Sequence, residues 1–75
     1  MRYHFNIRDA EGLIADEEGG EFNDLDSARV EARASARDMV IDHLRAGEPA
    51  REQRIEITDD SGIVLDSVRI SFVID

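Results

Sequence analysis

Two copies of one turn signature decide the fold: Arg8-Asp9-Ala10-Glu11-Gly12-Leu13-Ile14 near the start of the chain and Thr58-Asp59-Asp60-Ser61-Gly62-Ile63-Val64 near its end. In each copy Asp takes the first position of a type I turn and Gly the fourth, where glycine adopts the left-handed conformation that returns the second strand beside the first. Each copy therefore predicts a β-hairpin. The only stretch suited to a helix lies between them.

Outward from the first turn, residues 1–9 alternate. Met1, Tyr3, Phe5 and Ile7 point one way and Arg2, His4, Asn6 and Arg8 the other, the period of a half-buried strand. Leu13-Ile14-Ala15 supplies a short second strand, interrupted by the acidic, glycine-containing Asp16-Glu17-Glu18-Gly19-Gly20, after which Glu21-Phe22 resumes pairing briefly. Around the second turn, a polar linker over 50–53 leads into Arg54-Ile55-Glu56-Ile57-Thr58, which alternates as a third strand. The last strand carries Ile63 and Leu65 in one phase and Val68, Ile70, Phe72 and Ile74 in the other. That change of parity across Asp66-Ser67 predicts a β-bulge there, because one extra residue exchanges the faces.

Between the hairpins, Asn23 or Asp24 is a suitable N-cap, Asp26 sits in the first turn where the dipole favours negative charge, and Gly47 and Pro49 form a stop. The helix is predicted over Leu25–Ala46. At 100° per residue its apolar stripe collects Leu25, Ala28, Ala32, Ala36, Met39, Val40 and His43, with Leu44 at the margin. The alanines permit close approach to a sheet, and at 1.5 Å per residue the helix spans roughly 33 Å, the length of a ten-residue strand. The prediction is an α+β fold: a ββαββ two-layer sandwich, one helix on a four-stranded, mainly antiparallel sheet built from two hairpins, in a single domain over 1–75. The expected strand order is second–first–last–third, with the two most apolar strands central; pairing of sheets across a dimer is the alternative.

Composition narrows the function classes. With 75 residues, a monomer buries only about 60% of its unfolded surface, so it is marginal without a staple. Cysteine is absent, which removes disulfides, thiolate metal sites and thiol nucleophiles and leaves oligomerisation as the route to more buried area. The 18 acidic residues outnumber the 9 basic ones, giving a net charge of −9 that disfavours nucleic acid as a partner. Every basic residue is Arg, so Schiff-base and lysine general-base chemistry are excluded. No apolar run is long enough for a membrane span and Met1-Arg2-Tyr3-His4-Phe5 leads into a strand pattern, so a cytoplasmic protein is expected.

No constellation of catalytic, cofactor-binding or metal-ligating residues emerges. His4 falls on the face opposite Tyr3 and Phe5, where it reads as a solvated surface residue. His43 falls on the buried stripe of the helix and reads as structural. The loop Asp16-Glu17-Glu18-Gly19-Gly20-Glu21 is the nearest approach to a hard-cation site, but its spacing fails the EF-hand pattern. The sharper signal is Arg29, Arg33 and Arg37 along one helix flank of an acidic protein. Val30, Ala34 and Ile41 form a second apolar stripe, roughly opposite the first, that a helix lying on one sheet leaves in water. Such a stripe, or an edge strand, is the expected interaction surface.

The runs Tyr3-x-Phe5-x-Ile7-Arg8-Asp9, Leu13-Ile14-x-Asp16-Glu17-Glu18-Gly19, Asp24-Leu25 with Ala28-Arg29-x-Glu31-Ala32 and Ser35-Ala36-Arg37, and Ile55-Glu56-Ile57-Thr58-Asp59 with Gly62-x-Val64-Leu65 resemble a family of short alpha-proteobacterial, rhizobial-type proteins catalogued as a domain of unknown function. That resemblance implies no activity, cofactor or catalytic residue. The first two thirds is similar, more weakly, to the N-terminal domain of HicB antitoxins, in which an Asp-x-x-Gly hairpin precedes an alanine-rich helix. The resulting expectation is a cytoplasmic, non-enzymatic protein-interaction module without a cofactor, acting as a homodimer. The alternative is an antitoxin-like regulator that binds a basic RNA-acting partner.

Overall fold

The computed structural model describes residues 1–48 and 52–70; Pro49 of the predicted helix stop, residues 50–51 of the predicted linker, and Phe72 and Ile74 of the predicted last strand lie outside the described residues. Along the chain run β1 (Arg2–Asp9), β2 (Gly12–Ile14), β3 (Gly20–Glu21), α1 (Leu25–Ala46), β4 (Gln53–Thr58) and β5 (Val64–Ile70). Helix and sheet form the predicted two-layer α+β arrangement.

Both turn signatures form hairpins, and they close differently. Asp9 pairs directly with Gly12, so Ala10-Glu11 is a two-residue loop, and Asp9 Oδ1 accepts the backbone N–H groups of Glu11 and Gly12 at 2.8 and 3.1 Å. In the second copy Asp59 Oδ1 accepts from Ser61 and Ile63 at 2.9 and 3.1 Å. Gly62, at φ 83°, donates its N–H to the Asp59 carbonyl. A type I turn followed by a left-handed glycine gives this longer loop.

The strand order is β2-β1-β4-β5, with β3 also pairing β1, and every pair is antiparallel. This corrects the expected order. The last strand is not beside the first; it forms an edge, and β4 is central. Burial shows why: Gln53, Ile55, Ile57 and Thr58 of β4 are buried, whereas Ile70 alone is buried along β5. In addition, β5 runs parallel to β1, so placing the two side by side would have required a parallel ladder. The outer margin of β1 is shared, with β2 covering Ile7–Asp9 and β3 covering Arg2 and Tyr3.

The bulge also moves. Ile57 pairs with Asp66 and Thr58 with Val64, which makes Leu65 the extra residue, just before the predicted Asp66-Ser67. Asp66 belongs to the inward phase with Val68 and Ile70 because its carboxylate meets Arg29 of the helix. Phase counting by apolarity alone cannot see a buried-side carboxylate.

Helix boundaries match the prediction. Asp24 is the N-cap, its Oδ1 accepting the Ser27 N–H at 2.8 Å, and Gly47 ends α1 in the left-handed conformation. Ala28, Ala32 and Ala36 are buried against Ile55, Ile57, Ile70 and Tyr3, with Phe5, Phe22, Leu25, Met39, Val40 and Val68 around them. Methyl groups on the helix bring its backbone close to β4 and β5, and the larger side chains come from the sheet. Phe22 closes one end, its ring 5.5 Å from Phe5 and 6.1 Å from Tyr3.

Gly19 and Gly47 share one backbone conformation, φ 68° and 67°, but not one environment. A Cβ at Gly19 would lie 2.7 Å from the Tyr3 carbonyl oxygen and 3.0 Å from the His4 ring, whereas one at Gly47 would meet open space. Gly47→Ala is expected to cost about 1 kcal/mol, the left-handed penalty alone. Gly19→Ala is expected to cost about 3 kcal/mol, because the segment joining β2 to β3 must also move off β1. Urea midpoints at constant m-value measure both; equal losses would show that the contact with β1 is unimportant.

Candidate functional site

Arg29 meets Asp66 and Arg33 and Arg37 lie beside Val68 and Arg69, so the arginine flank of α1 follows β5, the strand at the sheet margin. Arg29 is the tie between them: its Nε donates to Asp66 Oδ2 and its Nη1 to Asp26 Oδ1. Asp66 and then Asp26 hold the guanidinium above its ordinary pKa. In return Arg29, helped by the Ser67 N–H at 2.8 Å, holds the Asp66 carboxyl below the usual carboxylate value. Arg29 is therefore committed to the fold.

Arg33 and Arg37 are not. Both are exposed, and among the described residues neither has a carboxylate within 4.0 Å. They rim a groove of about 480 Å³ between α1 and β5, floored by Ala36, Val40, Ile41 and Val68 and closed by Arg69. Of the residues singled out in the sequence, the groove thus gathers Arg33, Arg37 and Ile41. Val30, 63% exposed, and the half-buried Ala34 belong to the outward side of the helix instead.

The groove borders an open edge. Strand order places β5 at the margin, so the outward main-chain groups of Val64–Ile70 face no strand among the described residues. Ile63 just before it and Val64 and Leu65 at its start are all exposed. Such an edge is a template for pairing unless charge, proline or a bulge blunts it.

On the face away from the helix, register aligns Arg8 with Arg54 and Arg54 with Arg69, three arginines directly opposite one another across β1, β4 and β5. Like charges so placed repel. Arg8 is relieved by Glu56 Oε1 at 3.0 Å and Arg69 by Glu52 Oε1 at 3.0 Å, while Arg54 has no ion pair among the described residues. Sequence reasoning missed this row. Alternation puts Arg8 and Arg54 on the same face, but the expected order separated their strands.

The profile of the family described as Domain of unknown function (DUF6894) matches residues 2–71. The chain belongs to this family. No curated relative and no solved structure matches it. The description of DUF6894 names no reaction, so surface geometry carries the functional argument.

In this DUF6894 member the acidic loop is engaged by backbone. The Asp16 carboxylate accepts the Phe5 N–H at 3.1 Å and the Gly19 N–H at 3.2 Å, and its own N–H donates to Asn6 Oδ1 at 2.8 Å. Among the described residues no three His, Cys, Asp or Glu side chains converge as metal ligands. His43 lies half-buried at the C-terminal end of α1, its Nδ1 3.2 Å from Glu48 Oε2. No helix among the described residues is long and apolar enough to cross a membrane.

His4 is more than the solvated residue expected. Its Nδ1 lies 2.7 Å from the Asp16 carbonyl oxygen and its Nε2 2.9 Å from Asp60 Oδ1, so it ties the loop after β2 to the second hairpin turn. Both neighbours are acceptors. Imidazolium donates to both and neutral imidazole to one, and accordingly Asp60 first and the Asp16 carbonyl second raise the pKa above 6.5. A raised pKa in the folded state means that the contribution is complete below the unfolded value of 6.5 and fades as pH rises through the folded value. His4→Gln should therefore lower Tm most near about pH 5.5 and progressively less towards about pH 9. A gap between the two proteins that stays constant across that range would exclude the two-sided tie.

Proposed function

We propose that the chain is a cytoplasmic, non-enzymatic protein-interaction module that acts as a homodimer through the outward face of α1. One observation carries the reading. Val30, Ala34, Arg37, Ile41 and Leu44 follow one another at spacings of four and three residues on the solvent side of the helix, the seam of a two-helix contact. Val30, Ile41 and Leu44 are 63%, 46% and 49% exposed, large values for aliphatic side chains aligned on one stripe. A chain this short gains from covering them, since its buried core among the described residues is three alanines, three isoleucines and Tyr3.

Charge sets the conditions for association. Two copies of a chain with net charge −9 repel, so salt should strengthen the dimer. Light scattering behind size-exclusion chromatography is expected to give twice 8.4 kDa at high micromolar concentration, more completely at about 0.5 M salt. Ile41→Glu should give the monomer mass with unchanged helical signal, because Ile41 stands at the seam and outside the buried core. A strictly monomeric parent protein overturns the dimer. Recovery of that monomer from native lysate with a small basic RNA-acting protein would replace it by the antitoxin-like alternative.

A further inference from the structure

We propose that the β5 edge, with Arg33, Arg37 and Arg69, docks an acidic extended segment of another protein as an added strand. This rests on the interaction-module reading but not on the homodimer, whose seam along α1 shares only Arg37 and Ile41 with the groove and does not use the β5 edge.

The main-chain groups come first. Among the described residues β5 offers an edge seven residues long, roughly 24 Å at strand rise, that no strand covers, beside a groove whose floor of Ala36, Val40, Ile41 and Val68 is apolar. An edge of this kind is completed by a polypeptide, which supplies N–H and C=O groups; a nucleic acid strand does not.

Charge then selects the polypeptide. Arg33 and Arg37 rim the groove on the helix side; among the described residues neither has a carboxylate within 4.0 Å, and the charge of Arg33 reaches Asp66 only at longer range, behind Arg29. Arg69 wraps the edge, touching the groove and the opposite face, where Arg54 and Arg8 continue the row. Arg33 and Arg37, with Arg69 held by Glu52 at 3.0 Å beside them, make a locally positive margin on a chain with net charge −9, complementary to carboxylates. Spacing agrees: Arg33 and Arg37 are about 6 Å apart along the helix, and alternate residues of an added strand about 6.8 Å. Carboxylates at every second position can reach both guanidiniums.

A second copy of this chain is a poor occupant. Pairing β5 with β5 about a two-fold axis sets the two arginine belts against each other. A heterologous contact, belt to acidic flank, does not close on itself.

The test uses the full-length protein and a fluorescein-labelled ten-residue peptide alternating Glu with Val or Thr, followed by anisotropy. Saturable binding is expected, weakened about tenfold by Arg33→Gln with Arg37→Gln, both exposed and outside the core. The same peptide N-methylated at alternate residues should not bind, since it cannot pair with the edge. Equal affinity for the double variant, equal affinity of the N-methylated peptide, or tighter binding of a ten-nucleotide single-stranded RNA would overturn the proposal. A dimer that ignores the peptide removes this docking and leaves the homodimer standing. A monomer that binds it does the reverse.

Discussion

The close approach of α1 to the sheet is the constraint on which the rest depends. Ala28, Ala32 and Ala36 leave room for Ile55, Ile57 and Ile70, and that contact works only where the sheet supplies the volume. The isoleucines are on β4 and β5, so the helix settles over that half. Two consequences follow from this placement. Leu13 and Ile14 of β2 stay exposed at the far margin, and the arginine flank is brought to the near margin, where Asp66 fastens it through Arg29.

What was legible in the sequence is what local chemistry decides. An Asp at the start of a turn and a Gly at its end specify a hairpin from a handful of residues, and the caps Asp24 and Gly47 bound the helix to the residue. Strand order is different in kind. It is settled by which strands bury both phases, and the apolarity of Ile63, Val64 and Leu65 pointed the wrong way because those residues are exposed at an edge. The arginine row was hidden by the same error, since Arg8, Arg54 and Arg69 become neighbours only once β4 stands between β1 and β5. The bulge at Leu65 was displaced for a related reason, a carboxylate occupying an inward position that only its distant partner explains.

Charge is segregated more than the net value suggests. On α1 the basic residues Arg29, Arg33 and Arg37 occupy the flank towards β5, while Glu31, Asp38 and Asp42 fall on the other flank by their 100° spacing. A protein with net charge −9 can thus present a locally positive margin, because at ordinary ionic strength the Debye length of about 8 Å is shorter than the distance across the sheet. Net charge then governs solubility and self-repulsion, and the local arrangement governs what touches the edge.

Edge strands need protection, and β5 has two of the usual devices, the bulge at Leu65 and the charge of Arg69. Neither is specific to a partner, and a guard against aggregation would explain a single arginine. It does not explain why Arg33 and Arg37 reach the same margin from the helix, above a floor that is apolar. Guarding and docking are not competing accounts of such a belt. Like charges that repel a second identical edge are the same charges that attract carboxylates, so one arrangement keeps the edge unpaired with itself and open to a chain of opposite sign.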